Sequence, residues 1–148
     1  MTGTKTPVVF IHGLWLHATS WQPWQELFAE AGYEPSAPGW PGDADTVQAT
    51  RANPDSVANH GIDDVTSHYA SFIDGLPARP VIIGHSFGGL IAEKLLGMDY
   101  GTAAIGIDAA QIPTASRATA STTSPIITRN SSRVCRPGRS SSDTRSAA

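Results

Sequence analysis

The stretch "PVIIGHSFGGLIAEKLL", residues 80–96, divides into two halves of different periodicity. Val81, Ile82 and Ile83 form a continuous β-branched run, the pattern of a strand buried on both faces of a parallel sheet. Leu90, Ile91, Lys94 and Leu95 then recur at helical spacing, with Ala92, Leu96 and Met98 completing the expected buried side. Between the halves the chain must turn sharply at Gly84-His85-Ser86-Phe87-Gly88. This is the G-x-S-x-G pattern of a nucleophile elbow, in which glycines two before and two after the serine permit a strained turn that lifts Oγ. The N-terminus of the following helix favours negative charge at the same place. A plain glycine-rich turn is the other reading, and a strand before with a helix after counts against it.

Outward from the elbow, strand and helix patterns alternate. Val8 to Ile11 is a β-branched and aromatic run. Thr19 or Ser20 can cap a helix with Pro23 in its first turn, whose apolar stripe of Trp24, Leu27, Phe28 and Ala31 ends at Gly32. Tyr33 to Ala37 reads as a weak strand, and Pro38 to Gly61 as a long polar loop with one short helical piece. Ile62, Val65, Tyr69, Phe72, Ile73 and Leu76 share one helix face, closed by Gly75 and Pro77. "AAIGIDAA", residues 103–110, is a further buried strand. Alternation of this kind predicts a parallel sheet flanked by helices, an α/β fold.

A second motif lies in "VVFIHGLWLHATSW", residues 8–21, where His12-Gly13 directly follows the first strand. An elbow serine needs two backbone N–H donors for a developing oxyanion, one from the residue after it and one from a loop after an earlier strand. Phe87 is the candidate for the first and Leu14 for the second.

Over about residues 7–112 the chain resembles the α/β-hydrolase superfamily, in particular its small cofactor-free esterase, lipase and perhydrolase-like members. "FIHGLW", "APGWPGD", "VIIGHSFGGLIAEKLL" and "AAIGIDAA" carry the resemblance. It implies an eight-stranded fold of which this chain holds about four, the third to sixth, and no cofactor. Serine at the elbow is similar to esterase chemistry; dehalogenases and epoxide hydrolases of this fold carry aspartate there. The substrate so implied is a small carboxylic ester.

The resemblance also implies a triad in the order nucleophile, acid, histidine. The five histidines, His12, His17, His60, His68 and His85, all precede Ser86. A serine hydroxyl without an imidazole in reach is a poor nucleophile at neutral pH. His12 is expected to be structural, His85 to point away from Oγ, and His68 to lie on the solvent side of its helix. His17 and His60 sit in loops and are the substitutes to test. Asp108, after the strand that follows the elbow helix, is a possible acid; capping the next loop is the other reading.

Charge divides the chain. Residues 113–148 hold six arginines and one acid, net +5, whereas residues 1–112 hold four basic residues and twelve acids, net −8. The tail is rich in Ser, Thr, Arg, Ala and Pro and is expected to be disordered. This yields two units, a truncated core at 1–112 and a tail at 113–148, with a frameshift as one origin of the tail. Its arginines are spread singly without interleaved aromatics, so no specific nucleic-acid binding is expected. Asn130-Ser131-Ser132 matches a glycosylation sequon by chance. The lone Cys135 supports neither a disulfide nor a metal site. A polar N-terminus and the lack of a long apolar stretch point to a cytoplasmic chain without a membrane span. With 148 residues, 40% of them hydrophobic, the chain has length for one core.

Two functions follow: a serine hydrolase of carboxylic esters, or an incompetent fragment that binds apolar carbonyl compounds beside the elbow. Trp15, Trp21, Trp24 and Trp40 suit an apolar site wall or core packing alike. An unpaired edge on the "AAIGIDAA" strand would promote self-association.

Overall fold

In the computed structural model, residues 4–111 and the strand Ile126–Arg129 are described. The strands are β1 (Pro7–Ile11), β2 (Glu34–Ser36), β3 (Val81–His85), β4 (Ala103–Ile107) and β5 (Ile126–Arg129). The helices are α1 (Gln22–Glu30), α2 (Val47–Ala52), α3 (Ile62–Asp74) and α4 (Phe87–Gly97), with 3-10 turns at Ala18–Trp21 and Pro54–Val57. One sheet results, ordered β2-β1-β3-β4-β5. Its first four strands are parallel, in a register that aligns Ile11 with Gly84 and Gly84 with Gly106.

The two faces of the sheet are filled by the period-2 alternation of its strands. Val9 and Ile11 of β1, with Ile82 and Ala104, point into a core completed by Val65, Tyr69 and Ile73 of α3 and Ile91, Ala92 and Leu95 of α4. Val8 and Phe10 point the other way, with Ile83, to a smaller cluster. There Phe10 meets Trp21 at 4.9 Å between ring centroids and Phe28 edge-on at 5.3 Å. Because β1 and β3 are central and parallel, their apolar runs are covered on both sides, as expected.

Several local expectations give way to tertiary packing. Neither Thr19 nor Ser20 caps α1. A 3-10 turn intervenes, capped by the His17 ring, and α1 begins at Gln22 with Pro23 in its first turn. The α1 stripe is not a core face: the helix has no buried residue, and Trp24 and Leu27 are 45% and 57% exposed. It touches the sheet through Phe28, and Trp24 meets Trp21 of the preceding 3-10 turn edge-on at 6.0 Å between ring centroids. Met98 caps the end of α4 and is exposed, so it does not fill that helix's buried side. The 38–61 loop contains α2 and a 3-10 turn, two short helical pieces in place of one.

The expectation of a disordered tail falls on residues 113–148, which apart from β5 lie outside the described residues. Within that segment β5 pairs antiparallel with β4, placing Ile105 opposite Ile127. The expected unpaired edge on β4 is therefore corrected: β5 takes up its hydrogen-bonding groups, and β5 is the outer strand. Among the described residues no helix is long and apolar enough to cross a membrane.

Candidate active site

The chain runs from β1 outward to β2 and then crosses back to β3 on the other side of β1. In a parallel sheet such a reversal opens a crevice at the carboxyl ends of the two central strands. The loop after β1 and the turn after β3 meet there.

Ser86 joins β3 to α4 with φ 54° and ψ −119°, a left-handed conformation costly for a residue with a side chain. Close approach explains the glycines around it. A Cβ on Gly84 would lie 2.0 Å from Gly88 O, and one on Gly88 would lie 2.2 Å from Ile11 O. The start of α4 is thereby pressed against the end of β1. The loop after β4 clasps the turn from the other side: Ser86 N–H donates to Ile107 O (3.0 Å) and Ala110 N–H donates to Ser86 O (2.9 Å).

A serine at a helix N-cap normally accepts a hydrogen bond from the first turn of its helix. Ser86 makes no such bond, because its backbone is not in the extended conformation that capping requires. Its hydroxyl is left half-buried and uncommitted among the described residues. Gly13 lies directly against it, a Cβ there coming within 3.0 Å of Ser86 Cβ. Beyond Gly13, Leu14 N–H meets no acceptor among the described residues, and neither does Phe87 N–H in the first turn of α4.

His12 anchors the loop. It is 3% exposed, its Nε2 is 3.1 Å from Asp43 Oδ2, its Nδ1 is 3.0 Å from Gly13 O, and its ring stacks on Trp40. Asp43 Oδ2 also accepts from Trp40 N–H, and the Trp40 indole N–H donates to His12 O (3.1 Å). The segment around residues 38–43 is thus tied to the β1 loop through His12, Trp40 and Asp43. Asp43 and Trp40 are contributors that sequence reading missed as partners, although "APGWPGD" marked their segment. Burial lowers the His12 pKa, outweighing the Gly13 carbonyl and the Asp43 carboxylate, which favour the charged ring.

The other histidines are also placed. His17 Nδ1 accepts from Thr19 N–H (3.2 Å), while its Nε2–H donates to Ala44 O (2.9 Å). His60 reaches Ser56 O at 3.3 Å and His68 reaches Gly39 O at 3.1 Å. His85 turns its Nδ1 inward, unpartnered, 3.2 Å from where a Gly13 Cβ would be. None of the five is hydrogen-bonded to Ser86 Oγ. Asp108 follows β4 with φ 48° and is exposed. Its carboxylate caps no described loop, and it stands in the segment that clasps Ser86. Among the described residues no group of three or more His, Cys, Asp or Glu side chains could hold a metal ion.

A parallel sheet flanked by helices, with Ser86 on a strained turn between β3 and α4, defines a protein of the α/β class. The chain belongs to the alpha/beta hydrolase family, whose model matches residues 8–143. That match continues past residue 112, where the resemblance in sequence motifs was expected to stop. Among solved structures, the chain is similar to a methylesterase from Arabidopsis, at 22% identity with 72% of this chain and 44% of that one covered, TM-score 0.57. It is also similar to an extracellular alpha/beta-hydrolase from a Paenibacillus species, at 20% identity with 70% and 40% covered, TM-score 0.55. A third is polyneuridine aldehyde esterase, at 23% identity with 71% and 40% covered, TM-score 0.53. The chain spans less than half the length of these structures, and the likeness shows the shared fold. Comparison with curated proteins found no match.

Proposed function

We propose that the chain carries the nucleophile half of a serine hydrolase acting on small carboxylic esters. The observation that carries this reading is the N-cap serine that does not cap: Ser86 holds a costly backbone conformation, and among the described residues its hydroxyl makes no hydrogen bond. The names of the methylesterase and aldehyde esterase with the same fold are in keeping with an ester substrate. In the reaction, Ser86 Oγ attacks the ester carbonyl carbon as its proton passes to a base that the other half of such a hydrolase would supply. The oxyanion so formed accepts from Leu14 N–H and Phe87 N–H, and collapse expels the alcohol to leave an acyl-serine. Water then attacks the acyl carbon and regenerates the serine with release of the acid. Asp108 is proposed as the acid that orients the base. The base itself is not supplied by any described histidine, since His17 and His60 are bonded elsewhere.

That last observation favours a second reading, in which the chain binds an apolar carbonyl compound without turning it over. Labelling by a fluorophosphonate and hydrolysis of p-nitrophenyl acetate separate the two. The hydrolase reading expects both, each abolished by Ser86→Ala. Hydrolysis at background, with binding of the ester retained, supports the second reading. Hydrolysis that survives Ser86→Ala would exclude Ser86 as nucleophile.

A further inference from the structure

The turn Gly13–Leu16, closed by Leu16 N–H donating to Gly13 O (3.2 Å), carries three consecutive apolar side chains into solvent. Leu14 is 42% exposed, Leu16 46% and Trp15 93%. Trp15 has φ 68° at the third position of the turn, where glycine or asparagine is favoured. An indole held in water at a strained backbone position is disfavoured twice over. Outliers of this kind persist where a ligand or function uses them. Trp15 is two residues from Gly13, which touches Ser86, so its Cα lies within about 7 Å of the Gly13 Cα.

We propose that Trp15, flanked by Leu14 and Leu16, is a specificity-determining residue that covers an extended apolar acyl chain of an ester bound at Ser86. This deepens the proposed function and rests on Ser86 being the nucleophile. The side chains of the patch offer aliphatic and aromatic surface, and the indole N–H is their only polar group, which suits an alkyl chain better than a polar acyl group. A lipid surface fits less well. The chain carries ten basic residues against thirteen acids, so its net charge does not draw it to an anionic bilayer.

Binding of propaneboronic and octaneboronic acids to the full chain, measured by calorimetry, tests this without requiring turnover, because a boronic acid adds directly to a nucleophilic serine. The native chain is expected to prefer the octyl compound. Trp15→Gly, which suits the left-handed backbone, should reduce that preference about tenfold, the value of roughly two buried methylenes, and Trp15→Phe should restore most of it. An unchanged octyl-to-propyl ratio in Trp15→Gly overturns the inference. So does failure of the native chain to bind octaneboronic acid, or native co-flotation with phosphatidylcholine vesicles that Trp15→Gly abolishes. Ser86→Ala reports separately: equal loss of both boronates supports the nucleophile reading, whereas unchanged binding of both sinks that reading whatever the ratio does.

Discussion

His12 shows how one residue couples the site to the stability of the fold. Its imidazole lies between the Gly13 carbonyl and the Asp43 carboxylate, in a buried place where desolvation dominates and lowers the pKa. For a group whose folded pKa lies below the ordinary 6.5, the unfolded chain binds the proton first as pH falls. Its contribution to stability is therefore full above about pH 6.5 and declines below it. Thermal melts from pH 8 to pH 5 should show the native chain losing Tm below that point. His12→Gln should start less stable and lose less over the same range. Parallel curves for the two proteins would show that His12 does not carry the effect.

At the scale of elements, the site depends on how closely α4 approaches β1 and β3. Gly88 sets that distance, since its Cα faces the Ile11 and His12 carbonyls with no room for a methyl group. Gly88→Ala should lower stability by at least about 2 kcal/mol, because the whole start of α4 must retreat. Gly97, the last residue of the same helix, has nothing within 4 Å of the place a methyl group would take, and is the internal control. Gly97→Ala should be neutral or stabilising by up to about 1 kcal/mol through helix propensity. Urea denaturation of the two variants measures the contrast, and equal effects would mean that α4 is not held by contact with β1. The same contact explains the position of the elbow. Any retreat of α4 carries Phe87 away from the end of β1, so under the proposed function Gly88→Ala should also reduce fluorophosphonate labelling of Ser86.

For the whole molecule, the outer strand decides what the sheet shows to other chains. β5 pairs antiparallel with β4 and takes up hydrogen-bonding groups that would otherwise offer a template for strand addition. Neighbouring N–H groups along a strand point to opposite edges, so proline at one of two adjacent positions must remove a bond to β4. Ile127→Pro and Thr128→Pro should therefore differ. One should sediment as larger species with rising concentration, and the other should behave as the native chain does. If neither variant changes the sedimentation profile, β5 is not what shields β4. The opposite face of the sheet is more open. Among the described residues the 3-10 turn that carries Trp21 and helix α1 cover it, and Trp24 and Leu27 of α1 stay exposed.

The elbow and the parallel sheet were legible in the sequence because both rest on local periods. A β-branched run, two glycines flanking a serine at fixed offsets, and a helical repeat need no distant partner to be read. The pairing of His12-Gly13 with the elbow was legible for a similar reason, since each motif stands at the end of its own strand. What only the tertiary structure decided is where polar and apolar side chains find their neighbours. His12 meets Asp43 across 31 residues, and His17 meets Ala44 across 27, distances over which sequence carries no register. Helical spacing gave α1 an apolar stripe, but burial of that stripe depends on a neighbour that periodicity cannot supply. A four-residue segment within an Arg- and Ser-rich tail became a strand because β4 offered an unpaired edge. Local chemistry determined the turn that presents Ser86; packing between distant segments determined that no histidine ring among the described residues is hydrogen-bonded to its hydroxyl.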